Sequence, residues 1–310
     1  LEIAIRSLNL KLGSEIILPT FTIISCCNAI INAGLKPVLI DCDQNTFNMN
    51  IKQIEEKINK KTSAILMVHI YGITNDVDKI LLLAKKNKLK VIEDAAEVHG
   101  QYYKSKPCGS FGDVSTFSFY VNKHITTGEG GVLFTNRIDV FEEAALLRNQ
   151  GRKSSGTFNH EIFGMNFRIT DLQAALGLAQ MKKLPEIISH KLKIYDAFES
   201  ALSSVGGVTI PETPEYSNNV PFRFAFTLNS SEARENVEAR LRTAGIQTRG
   251  FFQPICQQAP VKQMYPDQPS NPVSKRLAST GLCLPIHKDI RQFEVDRMVT
   301  AICEGLDDCD

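Results

Sequence analysis

Between residues 13 and 136 the chain alternates between two periodicities, and this restricts its fold more than any other feature. Short β-rich runs stand at "EIIL" (15–18), "PVLID" (37–41), "SAILMVHI" (63–70), "KVIED" (90–94), "VSTFSF" (114–119) and "GVLFT" (131–135). Helical patterns lie between several of them. "SCCNAIINAG" ends on Gly34, a suitable helix terminator, and "NIKQIEEKIN" and "DVDKILLLAKKN" space their apolar residues at helical intervals. Strands alternating with helices predict a mainly parallel α/β sheet. The runs are apolar nearly throughout, as strands covered on both faces require.

From residue 137 the pattern changes. "RIDVFEEAALLRNQG" reads as a helix, and "TDLQAALGLAQMKKL" as another with Thr170 or Asp171 at its N-cap. Pro185 is expected to break or kink the chain before "EIISHKLKIYDAFESAL", giving a long helix pair that bridges two domains. A Gly-, Pro- and Asn-rich connection, "GGVTIPETPEYSNNVP", follows. Beyond it "FRFAFTL", the helix "SEARENVEARLRTAG" and "IQTRGFF" predict a smaller α+β domain. The expected division is 1–184 for a large domain and 185–310 for a small C-terminal domain with its bridging helix.

The bulk numbers exclude several functions. The 35 basic and 34 acidic residues leave a net charge of +1, which provides no footprint for nucleic acid or a membrane surface. The longest apolar runs, such as "AILMV" and "ILLLA", are too short to span a bilayer. The cysteines, Cys26, Cys27, Cys42, Cys108, Cys256, Cys283, Cys303 and Cys309, form no CxxC pair, and no HExxH is present. Reduced thiols, a cytoplasmic location and no metal site are therefore expected.

Two stretches could carry chemistry, because ligands of parallel sheets collect at the carboxyl ends of strands. In "KVIEDAAEVHG" the strand is apolar through Ile92 and then delivers Glu93, Asp94 and Glu97. A carboxylate there, beside a buried heteroaromatic nitrogen, would keep that nitrogen protonated. Asp94 reads equally well as the cap of a following helix. In "FGDVSTFSFYVNKHITTGEGGVLFTN" the strand ends at Ser118 and Phe119, Lys123 follows, and then "TTGEGG". The glycines and hydroxyls could hold phosphate oxygens, and an enclosed lysine can serve as a nucleophile. Taken alone, the same residues describe a solvated turn. The order of lysine and glycines fits neither a Walker A loop nor GxGxxG.

In combination the two stretches are far more specific. "EDAAE" followed by "GDVSTFSFYVNKHITTGEGG" closely resembles the DegT-type sugar-nucleotide aminotransferases, which belong to the fold-type I enzymes that use pyridoxal 5'-phosphate (PLP). "LPTFTIISCCNAI", "GLKPVLIDCD", "VHIYG", "GMNFRITDLQAALGLAQ" and "TRGFFQPI" resemble further family segments in the family's order, so the likeness covers essentially the whole chain. Perosamine-synthase-like members are the most similar.

The resemblance implies roles residue by residue. Lys123 matches the lysine that joins the cofactor covalently and later moves the proton. Asp94 matches the aspartate facing the pyridine nitrogen, and Glu97 the position beside the ring oxygen. Many relatives have glutamine at that position, whereas glutamate is similar to the perosamine-type branch. Ser118 matches a phosphate-binding serine. Asn166 matches an asparagine that reaches the cofactor phosphate of the neighbouring subunit, which implies a homodimer with shared active sites.

Family likeness further implies amino transfer, with glutamate as donor, to a nucleotide-linked 4-keto-6-deoxy sugar in cell-surface polysaccharide or glycan synthesis. GDP-linked 4-keto-6-deoxymannose is the first expectation, with UDP- and dTDP-linked sugars open. Related sugar 3-dehydratases carry histidine in place of the lysine; here His124 follows Lys123 without replacing it, so amino transfer is expected over dehydration. A non-catalytic regulatory relative is the other alternative. Two departures from the family motivate it. The segment that would precede Leu1, with its phosphate-gripping Ser/Asn-Gly-Thr turn, is expected to be missing. Ile23 stands where the family places an aromatic ring over the cofactor, and it can pack there without stacking.

Overall fold

Alternation within the apolar runs sorts their side chains onto two faces, and both faces are covered. The computed structural model describes residues 1–154, 156, 158–267 and 270–308; Cys309 therefore lies outside the described residues. Its strands in chain order begin with β1 (Glu15–Pro19), β2 (Lys36–Ile40), β3 (Thr62–Val68) and β4 (Lys90–Asp94). A separate small hairpin, β5 (Tyr102–Tyr103) and β6 (Lys106–Pro107), precedes β7 (Val114–Ser118) and β8 (Gly131–Phe134). The main sheet has the order β2-β1-β3-β4-β7-β8. Every neighbouring pair is parallel except β7 and β8.

Successive residues of a strand point to opposite sides. Ile16, Leu18, Ala64, Leu66 and Ile92 pack with α1 (Glu2–Arg6) and α2 (Ser25–Asn32) on one face. Ile17, Ile65, Met67 and Val91 pack on the other, against α3 (Ile51–Lys57) and α4 (Val77–Asn87). The crossovers start and stop by local chemistry. Asn50 and Asp76 cap α3 and α4 by accepting from Gln53 N and Lys79 N. The chain after β8 forms α5 (Ile138–Arg148).

Next come α6 (Asp171–Met181) and α7 (Leu184–Leu202). Thr170 caps α6 in a reciprocal box with Gln173. A second sheet, all antiparallel, runs β11-β12-β10-β9, from β9 (Val208–Thr209), β10 (Phe224–Leu228), β11 (Arg249–Gly250) and β12 (Gly281–Leu284). Its core is formed with α7, α8 (Ser231–Thr243) and α11 (Gln292–Asp307). Between β11 and β12 lie α9 (Ala259–Met264) and α10 (Pro272–Thr280). Ile255, Cys256 and Val261 return to the core of the main sheet.

The chain does break near Pro185, between the end of α6 at Met181 and the start of α7 at Leu184; the proline lies in the first turn of α7, where its missing N–H has no helical partner to lose. Two details differ from the expectation. The chain leaves the β3 ladder after Val68 instead of Ile70, and a turn follows in which Tyr71 has φ +53°. Asp41 also leaves the β2 ladder, because its carboxylate has another task. It accepts from Val273 N at 2.9 Å, Ser274 N at 2.8 Å and Cys42 N at 2.9 Å, and from the Ser274 hydroxyl. A residue from the main sheet thus caps α10, more than two hundred positions away. Asp41→Ala leaves these buried donors unpaired and is expected to lower stability by about 2–3 kcal/mol, read from the urea midpoint.

Candidate active site

The order of the main sheet determines where a ligand can enter. From β1 the chain crosses to β2 on one side, then returns past β1 to β3 on the other, so the carboxyl ends of β1 and β3 flank a switch point. A cavity of about 840 Å³ opens over these ends. Ile23 comes from the turn after β1, Tyr71 from the turn after β3, Asp94 and Glu97 from the end of β4, and Ser118 and Lys123 from the end of β7. Five of the six residues expected to form a site therefore face one cavity. Asn166 does not: it lies exposed before α6, bridged through its backbone to Asn149.

Lys123 is set by its loop. Its N–H donates to the Tyr120 carbonyl at 3.0 Å, and Phe119 N reaches the Gly130 carbonyl at 2.9 Å. The hydroxyl of Thr126 holds the Phe119 carbonyl at 3.0 Å. The glycines let this return path close: Gly130 has φ +150°, and a Cβ there would meet the Thr127 hydroxyl at 2.5 Å. They thus serve the hairpin as well as lining the cavity. The Lys123 side chain is only 12% exposed, and its Nζ donates to Glu97 Oε1 at 3.2 Å. Glu97 Oε2 accepts the N–H of Tyr71 at 2.8 Å. His124 points elsewhere. It is buried, donates from Nε2 to the Pro221 carbonyl at 3.2 Å, and is absent from the cavity wall. Burial first, and the Lys191 charge second, hold it well below the ordinary histidine pKa.

Asp94 is fixed without being neutralised by a strong acid–base partner. Oδ1 accepts Ala96 N at 3.1 Å, and Oδ2 accepts the thiol of Cys26 at 3.4 Å. A thiol is a weak donor, so the carboxylate keeps its capacity for a better one. Burial and the Asp94 charge in turn push the Cys26 thiol well above its ordinary pKa. Ser118 Oγ accepts Tyr120 N at 3.2 Å and can still donate its proton to a ligand oxygen.

Glu93, one residue before Asp94, faces the opposite side and is fully buried. It accepts from Phe111 N at 2.9 Å, Gly112 N at 3.2 Å, the Ser115 hydroxyl at 3.0 Å and His69 Nε2 at 3.2 Å, and also from Gly109 N. Asn75 N donates to His69 Nδ1 at 3.1 Å, so the imidazole proton sits on Nε2. Burial acts to raise the Glu93 pKa, but His69 and the loop N–H groups outweigh it and hold the carboxyl below its ordinary value.

The residues that sequence reasoning missed are Cys26, Tyr71, Phe222, Arg223 and Arg249. The last three line the cavity from the small sheet's side of the chain. "TRGFF" and "VPFRF" contain them, but nothing in a basic or aromatic residue near a short strand distinguishes a cavity wall from ordinary surface.

Comparison with known proteins gives a consistent picture. The model of the DegT/DnrJ/EryC1/StrS aminotransferase family matches residues 1–303. The GDP-perosamine synthase of Caulobacter vibrioides is 35% identical over 309 residues, covering 99% of this chain and 83% of that protein. A UDP-N-acetyl-3-dehydro-alpha-D-glucosamine 3-aminotransferase of Acidithiobacillus ferrooxidans is 32% identical over 303 residues, covering 97% of this chain and 80% of that one. The crystal structure of S. venezuelae DesV in complex with a ketimine intermediate superposes with a TM-score of 0.92 at 28% identity, covering 98% of this chain and 81% of that one.

The Glu93 network predicts a definite acid dependence. Its folded pKa lies below its unfolded value, so its contribution is complete above the ordinary 4.5 and is lost as pH falls further. Glu93→Gln turns an amide NH₂ toward the donors; it is expected to cost about 3 kcal/mol at pH 7 and to flatten the loss of stability below pH 4.5, measured by urea unfolding across pH.

Proposed function

The chain belongs to the DegT/DnrJ/EryC1/StrS aminotransferase family and is a PLP-dependent sugar aminotransferase; from that premise we propose that it transfers an amino group from glutamate to a GDP-linked 4-keto-6-deoxy sugar, using Lys123 as the covalent anchor. The observation that carries the reading is the placing of an amine, Lys123, and a carboxylate, Asp94, on the wall of one cavity at the carboxyl ends of parallel strands. The residues fit the cofactor: a buried carboxylate held by a weak donor suits a protonated pyridine nitrogen, and a lysine suits a carbonyl carbon. When bound, PLP supplies an electron sink through which an amino group leaves one substrate and joins the ketone of another.

The protein's own residues do the rest. Asp94 would keep the ring nitrogen protonated by charge pairing in a buried setting. The Lys123 amine acts as nucleophile and as the base that moves the proton, and it must be neutral to do either. Glu97, at 3.2 Å, accepts a hydrogen bond from it and orients it. Ser118 would hold phosphate oxygens, and Ile23, 47% exposed at the cavity, would pack on the ring. Arg223 and Arg249 supply positive charge for the anionic groups of donor and sugar nucleotide. At the position that separates the two activities, the Lys123 amine lines the cavity and the His124 imidazole turns away to the Pro221 carbonyl, which supports amino transfer over dehydration. Glu97 and the likeness to GDP-perosamine synthase support the GDP sugar.

A homodimer with shared sites belongs to this reading. α6 has no buried residue, and Leu172, Leu178, Met181, Phe163 and Phe167 stand exposed around it. A second copy would cover this face and bring its Asn166 to the cofactor phosphate. Among the described residues no helix is long and apolar enough to cross a membrane; the free thiols among those residues fit the reducing interior of a cell, where this reading places the protein.

Three measurements check the proposal. Lys123→Ala is expected to abolish borohydride fixation of the cofactor and to lower kcat by about three orders of magnitude. Fixation that survives the substitution removes the assignment. In a panel of GDP-, UDP- and dTDP-linked 4-keto sugars, the GDP sugar is expected to have the highest kcat/KM, and a preference for another nucleotide overturns the substrate. Leu172→Glu with Leu178→Glu is expected to give a monomer by sedimentation that retains the cofactor poorly.

A further inference from the structure

The apolar stripe of α7 contains one residue that breaks it. Ile194, Tyr195, Phe198 and Leu202 face the core at helical spacing, and Lys191 lies on the same stripe with 8% of its surface exposed. A lysine on a buried stripe is costly unless its ammonium has a partner. Its Nζ donates to the Phe222 carbonyl at 2.9 Å. Loss of water, and secondarily the Arg223 charge, pull its pKa down to about 7.

The segment it grips is held from every side. His124 takes the Pro221 carbonyl at 3.2 Å. Val220 N donates to Gln101 Oε1 at 3.0 Å, and Phe222 N to the Tyr71 carbonyl at 3.2 Å. Gly72 permits that approach: a Cβ there would come within 2.6 Å of the Val220 carbonyl. Residues 220–222 lead into β10, so they join the small sheet to the cavity wall.

A closed circuit results. The Phe222 ring centroid lies 4.3 Å from Lys123 Nζ. Lys123 bonds Glu97, Glu97 bonds the Tyr71 N–H, and the Tyr71 carbonyl bonds the Phe222 N–H. Lys191 is outside the cavity wall and meets the circuit through Phe222, its Nζ 5.9 Å from the same ring centroid. The other charged or titratable groups here include Arg223, 4.9 Å from that centroid, the buried His99 and His124, and the buried Cys283 beside Tyr71. Burial first, then Lys123, lower the His99 pKa to about 4, so it adds no charge at neutral pH.

From this geometry we propose that Lys191 is a positioning residue for amino transfer: by holding the Phe222 carbonyl it fixes the ring against which the Lys123 amine is set, and so ties that amine to α7. The proposal rests on Lys123 being the covalent anchor. Lys191 acts only through Phe222.

The test uses the PLP-loaded enzyme with Lys191→Met, Lys191→Arg and Phe222→Leu. Thermal melting, the rate at which hydroxylamine strips the cofactor, and kcat and KM for both substrates are measured. Lys191→Met is expected to melt cooperatively, to lose its cofactor to hydroxylamine about tenfold faster, and to lose about tenfold to hundredfold in kcat with KM changed by no more than about twofold. Lys191→Arg is expected to recover most of both losses. A folded Lys191→Met with the wild-type stripping rate and kcat overturns the proposal, as does a loss of melting temperature alone. Phe222→Leu leaves the lysine in place and is expected to reproduce the pattern; unchanged behaviour there overturns the proposal even where Lys191→Met does not fold. Lys123→Ala that still fixes cofactor with borohydride instead overturns the anchor assignment, so the two failures are distinguishable.

Discussion

Glu93 is a buried carboxylate with five donors, and the cavity end of the sheet is organised around it. Its partners come from the end of β3, the loop before β7, and β7 itself. An anion this deep is tolerable only when hydrogen bonds replace the lost water, so each donor is held in place by the cost of leaving the charge bare. Three neighbouring strand ends are thereby locked in relative position. Because a strand alternates sides, the next residue, Asp94, then points into the cavity from a fixed floor. One carboxylate provides rigidity, and its neighbour is left, among the described residues, with a thiol and one backbone N–H.

Around that floor the cavity wall is assembled from residues with unusual local settings. Tyr71 adopts a left-handed conformation, which is strained for an aromatic residue. The strain is offset by what it permits: the N–H reaches Glu97, the carbonyl reaches Phe222, and the ring stacks on Phe252 at 5.6 Å with a 5° interplanar angle. The orientation of the Lys123 amine thus depends on backbone atoms from two distant stretches of chain.

The sequence made parts of this legible and concealed others for physical reasons. Strand positions in the main sheet could be read because buried parallel strands need long apolar runs, and "KVIED" matches β4 end to end. The mainly parallel sheet, the smaller α+β part and Lys123 with Asp94 at one cavity follow from pattern and family likeness together; the antiparallel pairing of the second sheet does not. The run "PVLID" extends a strand through Asp41, since nothing local signals that its carboxylate caps a helix in another part of the chain. Lys191 did leave a signal: it sits at helical spacing with Ile194, Tyr195 and Phe198, on a stripe where a charge has no reason to be. Cys26 left none, for its role depends on how closely α2 approaches the end of β4.

The antiparallel pairing of β8 with β7 bears on the order in which the site can form. Ser118 pairs with Gly131 across one short hairpin, while Ile17 must find Ile65 after a full excursion through two helices and another strand. Closing a short loop loses far less chain entropy than closing a long one. The loop that bears Lys123 can therefore take shape as a local unit early in folding. The central pairing of β1 with β3, which creates the crevice that the lysine faces, has the longer loop to close.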